Sequence, residues 1–184
     1  MKKALVGMMT LTLVVAAVGW TNTDSRLNGT WEATETLEWG QTIGQRFVFD
    51  AGNFILEIDE GTNRFVPTIR GTFTTSGNTI TMRFTHMHRE AAELSTGPVW
   101  LDRSAVAAIM AERGELNAAQ IAVTLDNIFT QQTSQFLLIG NRLSLTTTIT
   151  LSASERARIA DAFDMSPSDI PGSETTEQEF IRRN

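Results

Sequence analysis

Apolar and polar residues alternate along much of the chain, which is the pattern of strands with one buried face and one wet face. In the first alternating segment the odd positions from Trp31 to Trp39 share one face, and the even positions between them are threonine or glutamate. By this parity Glu35 belongs to the mainly apolar face. The same alternation predicts further inward positions along the chain: Ile43, Gln45, Phe47, Phe49, Phe54, Leu56, Ile58, Phe65, Ile69, Phe73, Ile80, Met82, Phe84, Leu143, Leu145, Thr147, Ile149 and Leu151.

A short phrase, an apolar run followed by Gly-Asn and a second apolar run, occurs three times. Its copies are centred on Gly52-Asn53, Gly77-Asn78 and Gly140-Asn141. Glycine and asparagine tolerate the positive φ that tight hairpin turns need, so each copy predicts a β-hairpin, the first turning at Ala51-Gly52. With the other alternating segments the strands reach roughly eight, enough to close a barrel with the last strand, Thr176 to Arg183, beside the first.

A helical period interrupts the strands in the middle of the chain. Residues 102–113 carry apolar residues at helical spacing and are followed by Gly114, a typical C-cap. Asn117 and Gln120 have the spacing of a capping box, which predicts a second helix behind them. We therefore expect a helical insertion at about 102–130 between two strands of the barrel.

A third helix is predicted near the C-terminus. Ser152 and Glu155 again have the spacing of a capping box, and the helical pattern continues through Phe163. The predicted fold is therefore mainly β: an eight-stranded antiparallel up-and-down barrel with a helical insertion and a C-terminal helix before the last strand.

The first residues have the features of an export signal rather than of a folded segment. Lys2-Lys3 forms a basic start, and the apolar run from Ala4 to Val18 is too short to span a bilayer comfortably. We predict a cleaved signal peptide over 1–19 and a single barrel domain over 20–184. The protein is then exported, periplasmic or secreted, and has no stable membrane anchor after cleavage.

Composition removes several classes of function. The chain has no cysteine, and its formal net charge is −6, with both lysines inside the predicted signal. Disulfides, thiol chemistry and lysine Schiff bases are thereby excluded from the mature chain, and an acidic surface disfavours nucleic acid as a partner. None of the common catalytic motifs occurs, so we predict that the protein is not an enzyme and uses no cofactor.

Gly29-Thr30-Trp31, at the start of the first strand, resembles the Gly-x-Trp opening of the lipocalins and the wider calycin superfamily. The chain is most similar to the small exported lipocalin-like domains of bacteria. In that family the tryptophan closes the barrel floor and an arginine from the far end of the chain packs over its ring. The resemblance therefore implies that Trp31 closes the barrel, with Arg182 as the first choice for its partner and Arg156 as the second.

Two features depart from the lipocalin pattern. The family's Thr-Asp-Tyr motif is missing, since the chain contains no tyrosine. The insertion at about 102–130 lies where lipocalins continue with strands, and helices there would alter or block access to a cavity. The resemblance nevertheless implies an interior that binds a small, largely apolar molecule or a lipid.

His86, His88 and Glu90 form the one run with metal-binding potential. If the strand from Thr79 persists, all three continue the inward face of Met82, and two imidazoles with a carboxylate could hold zinc. The alternative is that the strand has ended and the histidines begin a surface loop. We favour the alternative and predict no metal site.

Glu35 is a second polar group at a predicted inward position. It could join His86 and His88 in a polar cluster that recognises a ligand within an apolar cavity. Alternatively, a bulge near Ala33 returns it to solvent, or it forms a buried structural ion pair.

Two hypotheses about function follow from the sequence. In the first, the protein is an exported carrier of a small, largely apolar ligand. Its cavity would be lined by these residues: Glu35, Trp39, Phe47, Leu56, Met82, Phe84, His86, His88 and Leu145. In the second, the barrel is filled and the protein is an interaction module of the cell envelope, an inhibitor or an accessory subunit, whose helical insertion or acidic loops contact a protein partner. A cavity inside the barrel would favour the first hypothesis.

Overall fold

Nine strands and three α-helices are formed by the residues that the computed structural model describes, which are 23–36, 40–94, 96–97 and 99–183. The predicted signal peptide and Leu37, Glu38 and Trp39 lie outside the described residues. The elements in chain order are β1 (Gly29–Thr36), β2 (Thr42–Asp50), β3 (Asn53–Asp59), β4 (Val66–Ser76), β5 (Thr79–His88), β6 (Trp100–Leu101), α1 (Arg103–Arg113), α2 (Ala118–Ile128), β7 (Gln131–Ile139), β8 (Arg142–Thr150), α3 (Ala153–Phe163) and β9 (Ser173–Arg183).

Eight of these strands close into an antiparallel barrel. The strand order is β4-β3-β2-β1-β9-β8-β7-β5, and β4 also pairs with β5, which completes the ring. The two-residue strand β6 adds to the end of β5. The predicted architecture is thus confirmed: a barrel, two helices inserted between strands, and a third helix before the last strand.

The two ends of the barrel differ in construction. The end that we call the floor carries the three Gly-Asn turns, the start of β1 and the end of β9. The end that we call the mouth carries the longer connections, which include all three described α-helices. Within the described residues, no helix is long and apolar enough to cross a membrane.

The hairpin turns form at the predicted places, with one difference among the copies. Ala51 and Gly52 both have positive φ, +45° and +84°, whereas Asn53 already belongs to β3. In the other two copies glycine takes the first turn position, with φ of +59° at both Gly77 and Gly140. The first copy is therefore shifted by one residue relative to the others.

The helix caps also agree with the prediction. Asp102 accepts a hydrogen bond from the Ala105 amide at the start of α1, and Gly114 ends that helix in the left-handed conformation. Capping boxes are complete at the first turns of α2 and α3, on Asn117 and Ser152 respectively. Each box satisfies amides that would otherwise lack an intrahelical partner.

Aromatic rings fill the floor half of the barrel. The Phe49 and Phe73 ring centroids lie 4.9 Å apart, and those of Phe47 and Phe180 lie 5.5 Å apart, both in edge-to-face geometry. The remaining inward residues are packed as tightly, with Ile80 and Leu143 entirely shielded from solvent. Burial of this apolar surface is the main stabilising contribution that the fold shows.

A second apolar cluster lies at the mouth, beneath the inserted helices. Met87 and Leu101 pack there against Val106 of α1 and Leu125 of α2. Ile128 contacts both this cluster and the barrel core. The apolar stripe of α2 is therefore used for packing inside the molecule.

Two β-bulges reverse the alternation of inward and outward residues. In β4, Thr68 is an extra residue, because Ile69 pairs with Leu56 whereas Pro67 pairs with Glu57. Its hydroxyl donates a 3.0 Å hydrogen bond to the Val66 carbonyl. The reversal corrects one prediction: Phe65 lies on the outer face of the barrel, where the Arg46 guanidinium stacks 3.8 Å from its ring centroid.

Candidate functional site

The side chains predicted to line a cavity instead pack against one another. Phe47, Met82, Phe84 and Leu145 all belong to the buried core of the barrel, with exposures between 1% and 6%. The Phe84 ring lies edge-on to Phe54 at a centroid distance of 5.2 Å. These positions point inward as predicted, but side chains occupy the space between them.

Nearer the mouth, the interior becomes more accessible and more polar. Leu56 points inward and is half-buried against the core. On the opposite wall, the Ser134 and Thr147 hydroxyls share a 2.7 Å hydrogen bond, and Gln132 donates to Thr147 at 3.1 Å. The buried part of this wall is therefore satisfied by its own hydrogen bonds.

Glu35 follows none of the three possibilities expected from the sequence, which were a cluster with the histidines, a bulge and a buried ion pair. No bulge interrupts the pairing of β1 with β2, and Glu35 stands opposite Ile43 on the inward side of the strand. It is nonetheless exposed, because it lies close to the mouth. Within the described residues, the structure gives its carboxylate no hydrogen bond or ion pair. Trp39, which was predicted beside it, lies outside the described residues.

The floor closes with the expected tryptophan–arginine pair. The Arg182 guanidinium lies 5.2 Å from the Trp31 ring centroid and also donates to the Asn28 carbonyl. The indole N–H of Trp31 donates a 2.7 Å hydrogen bond to the Leu27 carbonyl. Arg156, the second choice, lies instead beside Gly172.

The two histidines lie outside the barrel, which corrects their predicted inward orientation. Thr85 is the extra residue of a bulge in β5: Gly71 pairs with Phe84, and Arg70 pairs with His86. After the bulge Met87 takes the inward position opposite Ile69, so His86 and His88 face outward. The Thr85 hydroxyl donates to the Arg70 carbonyl at 3.2 Å and stabilises the irregular backbone.

On this outer face the histidines meet a tryptophan and an arginine. The His88 and Trp100 rings lie edge-to-face with centroids 5.0 Å apart, and the Arg70 guanidinium lies 4.8 Å from the Trp100 ring. His88 is buried, and its Nδ1 atom accepts a 3.3 Å hydrogen bond from the Glu90 amide. Among the described residues, no group of three or more His, Asp or Glu side chains could hold a metal ion. The arrangement serves to pack β6 against β5.

The pairing between the first and last strands is short, and this leaves a seam. β9 pairs with β1 only through residues 181–183, opposite Thr30, Trp31 and Glu32. Toward the mouth, β1 continues to Thr36 and pairs there only with β2. The part of β9 that lies toward the mouth begins at Ser173 and pairs only with β8. We call the stretch between residues 33–36 of β1 and 173–180 of β9 the seam. Within the described residues, neither strand has a partner on the edge that faces the seam.

The inward residues of β9 beside the seam are more exposed than their partners on β8. Along β9 the inward positions change from Phe180, which is fully buried, to Gln178, which is half-buried, and Thr176, which is exposed. Their partners on β8, by contrast, stay buried over the same levels, since Leu145 and Thr147 are 6% and 7% exposed.

A hollow of about 190 Å³ lies on the outside where the seam begins. Its walls come from both strands and from the outward Phe65: Glu32, Ala33, Thr34, Phe65, Glu179, Ile181 and Arg183. Burial alone would raise the pKa of the Glu32 carboxyl, but hydrogen bonds from Arg183 and Arg46 outweigh it and hold the pKa below its ordinary value. Glu32 is therefore ionised, and Arg183 and Arg46 balance its negative charge. Glu35, by contrast, has no arginine partner among the described residues.

A second hollow, of about 200 Å³, lies between α2, α3 and the start of β7. Asp126 on its wall forms 2.6 Å ion pairs with Arg103 of α1 and Arg158 of α3. Burial opposes ionisation of Asp126, but these two guanidiniums more than compensate and lower its pKa. Neither hollow is lined by any residue predicted to line the cavity.

The seam was not predicted from the sequence, and of the inward carboxylates beside it only Glu35 was. Glu174 precedes the predicted start of the last strand at Thr176, and Gln178 was not recognised as an inward position. A signal was present: the alternation of Glu174, Thr176, Gln178 and Phe180 extends the inward row by polar residues.

No protein-family model matches the chain, and no curated protein matches it at a significant level. The structure shows a closed eight-stranded antiparallel barrel, which is consistent with a lipocalin-like fold.

Proposed function

We propose that the protein is an interaction module of the cell envelope, in which a filled barrel presents its outer surface and strand edges to a protein partner. One observation carries the proposal: aromatic and aliphatic side chains occupy the interior that a carrier would keep open. The proposal keeps the exported location predicted from residues 1–19 and assigns the protein no catalytic step.

Two further observations support an outer contact surface. Both hollows described above lie outside the packed core, and carboxylates line each of them. The inserted helices are a less suitable contact surface than expected, because Ile121, Leu125 and Ile128 of α2 pack against the second cluster. The surface around the carboxylate-lined hollows is a more suitable contact surface for a protein partner than the inserted helices are.

A carrier of a small apolar molecule is the second candidate, and one observation favours it. The inward Ile43, Leu56 and Ile58 near the mouth are half-buried rather than buried, so part of the interior is in contact with water. A ligand bound there would sit above the aromatic core rather than within it.

A fluorescent fatty acid whose emission rises in apolar surroundings separates the two candidates. We expect the wild-type protein to leave the probe's emission unchanged, because Phe180 and its neighbours fill the barrel. The Phe180→Ala variant should bind benzene but still exclude the fatty acid, since removing a fully buried ring leaves a cavity of about the size of that ring and costs roughly 3–5 kcal/mol of stability. Leu137→Ala, at an exposed outward position, is the matched control and should resemble the wild type.

Stoichiometric binding of the probe by the wild-type protein would contradict the proposal and establish a carrier. Native mass spectrometry of protein purified gently from its own host gives an independent result. A mass without a bound small molecule is expected for the interaction module, whereas a co-purified lipid would again identify a carrier.

A further inference from the structure

We propose that the seam between β1 and β9 binds an extended, lysine- or arginine-rich peptide segment, which adds as a strand to the free edge of β9. This inference rests on the proposed interaction role and deepens it, because it names the surface and the chemistry of the partner.

The backbone of β9 has a long free edge beside the seam. Residues 173–180 pair with β8 on one side, and the structure describes no strand on their other side. The amide and carbonyl groups on that edge can accept an added strand, as in other complexes formed by strand addition. Residues 33–36 of β1 offer a second, shorter edge across the seam. Because β1 and β9 are antiparallel, a strand between them would run antiparallel to one edge and parallel to the other. We assign the antiparallel pairing to β9, which has the longer free edge.

The inward side of the seam carries two carboxylates. Glu35 of β1 and Glu174 of β9 both occupy inward positions, and the described residues give neither of them a hydrogen bond or an ion pair. Arg156 lies beside Gly172, just before β9, and forms no ion pair with them. A basic side chain that entered through the seam would supply the missing counter-charge.

The outward side of β9 carries carboxylates as well. Glu177 and Glu179 alternate with Gln178 along β9, so they project from the other face of the same edge. Glu177 accepts a hydrogen bond from Ser144, and Glu179 faces Arg142 at 3.4 Å. An added strand would thus meet carboxylates on both of its faces, which favours a basic segment over an apolar or an acidic one.

The test uses a fluorescein-labelled decapeptide in which lysine alternates with threonine, with a glutamate-threonine decapeptide as the matched control. Fluorescence anisotropy should detect binding of the lysine peptide and no binding of the glutamate peptide. Hydrogen–deuterium exchange should then show slower exchange at residues 33–36 and 173–180 when the lysine peptide is bound, since an added strand protects edge amides. Failure of the lysine peptide to bind, or protection confined to other segments, would overturn the proposal.

Matched variants separate the seam from the overall negative charge of the protein. Combined Glu35→Gln and Glu174→Gln substitutions should weaken the lysine peptide about tenfold, as expected for loss of two solvent-accessible ion pairs. Combined Glu112→Gln and Glu115→Gln substitutions, at exposed positions in and after α1, remove the same charge elsewhere and should change affinity less than about twofold. Equal effects of the two double variants would show that the peptide responds only to net charge, against the proposal.

The outcome is distinguishable from a failure of the interaction role itself. If the lysine peptide does not bind but the fatty-acid probe is still excluded, the filled barrel uses another surface. If the probe enters the wild-type barrel, the interaction role fails whatever the peptide does.

Discussion

At the scale of single residues, Arg182 does the most to hold the floor together. Its guanidinium lies over the Trp31 ring and donates to the Asn28 carbonyl, and its backbone amide donates to the Asn141 carbonyl of the β7–β8 turn at 2.8 Å. Arg182 thus joins the segment before β1 and the first strand through its side chain, and a hairpin turn through its backbone. A cation desolvated against an indole is also a stronger interaction than an exposed ion pair.

We therefore expect Arg182→Ala to lower the free energy of unfolding by roughly 2 kcal/mol, through loss of the cation–π contact and of a charged hydrogen bond. Urea titration followed by circular dichroism measures the change. Arg142→Ala is the matched control at the same end of the barrel. Arg142 is 65% exposed in its 3.4 Å pair with Glu179, so its loss should cost under about 0.5 kcal/mol. Similar losses of unfolding free energy in the two variants would show that the stacked guanidinium of Arg182 stabilises the fold no more than an exposed arginine does.

At the scale of elements, the bulge at Thr85 depends on how closely β4 and β5 approach. Gly71 stands opposite Phe84 at the point where the register shifts. A Cβ atom at Gly71 would come within 2.0 Å of the Arg83 carbonyl oxygen and 2.8 Å of the Phe54 ring. Only a residue without a side chain leaves the two strands and the Phe54 ring in these positions.

Gly71→Ala should consequently be among the most damaging small substitutions in the chain, with a cost above about 3 kcal/mol, because backbone rather than a flexible side chain must move. The comparison is Gly77→Ala, where a Cβ meets no atom within 4 Å and the cost comes from its φ of +59° alone, about 1 kcal/mol. Urea midpoints of the two variants measure the difference. If Gly71→Ala is no worse than Gly77→Ala, the close approach is not what sets the register.

The elements also show which features a sequence can reveal. Turns and helix caps were predictable because their signals are local: Gly77 fits one turn conformation, and Asn117 with Gln120 completes one cap. The bulges at Thr68 and Thr85 were not, since threonine is common in strands and its hydroxyl supports a bulge only when the partner strand requires one. A one-residue shift reverses every later side chain, which is why Phe65, His86 and His88 were assigned to the wrong face.

At the scale of the whole molecule, packing changes along the barrel axis. The floor is sealed by rings, whereas polar and charged groups become more frequent toward the mouth and along the seam. The filling of the interior could not be predicted, because a barrel of this strand number either encloses a small cavity or is filled by its own side chains. The volumes of the inward side chains determine which of the two occurs. In this barrel five inward rings occupy the floor half: Phe47, Phe49, Phe54, Phe73 and Phe180.

Charge also acts across the whole molecule and predicts its response to acid. The pKa values of Glu32 and Asp126 are lowered in the folded state, against the opposing effect of burial, by hydrogen bonds from two arginines each. A lowered folded-state pKa adds stability that is present above the unfolded-state value and is lost as the pH falls through the folded-state value. Stability should therefore decline in acid below about pH 5, where the unfolded carboxyls begin to bind protons.

Glu32→Gln and Asp126→Asn should each cost roughly 1 kcal/mol at pH 7, because both carboxylates are partly solvated and their ion pairs are correspondingly weakened. The cost should shrink as the pH is lowered toward 3, since the wild-type carboxyls then bind protons as well. Urea unfolding at a series of pH values measures both effects. A cost that stays constant with pH would show that the substitutions act through packing rather than through charge.

The meeting of β1 and β9 at the floor has a consequence for how this chain could be rearranged. Thr30 and Arg183 are cross-strand neighbours, and the Asp24 amide is held at the same end by the Thr75 hydroxyl. A short linker could therefore join the segment before β1, at Asp24, to the end of β9 at Arg183, and new termini in the exposed turn between α1 and α2 would break no strand pair. Such a circular permutant should fold to the same barrel. Because the strands form a closed ring, we expect that the order of the strands along the chain can be changed without changing which strands pair.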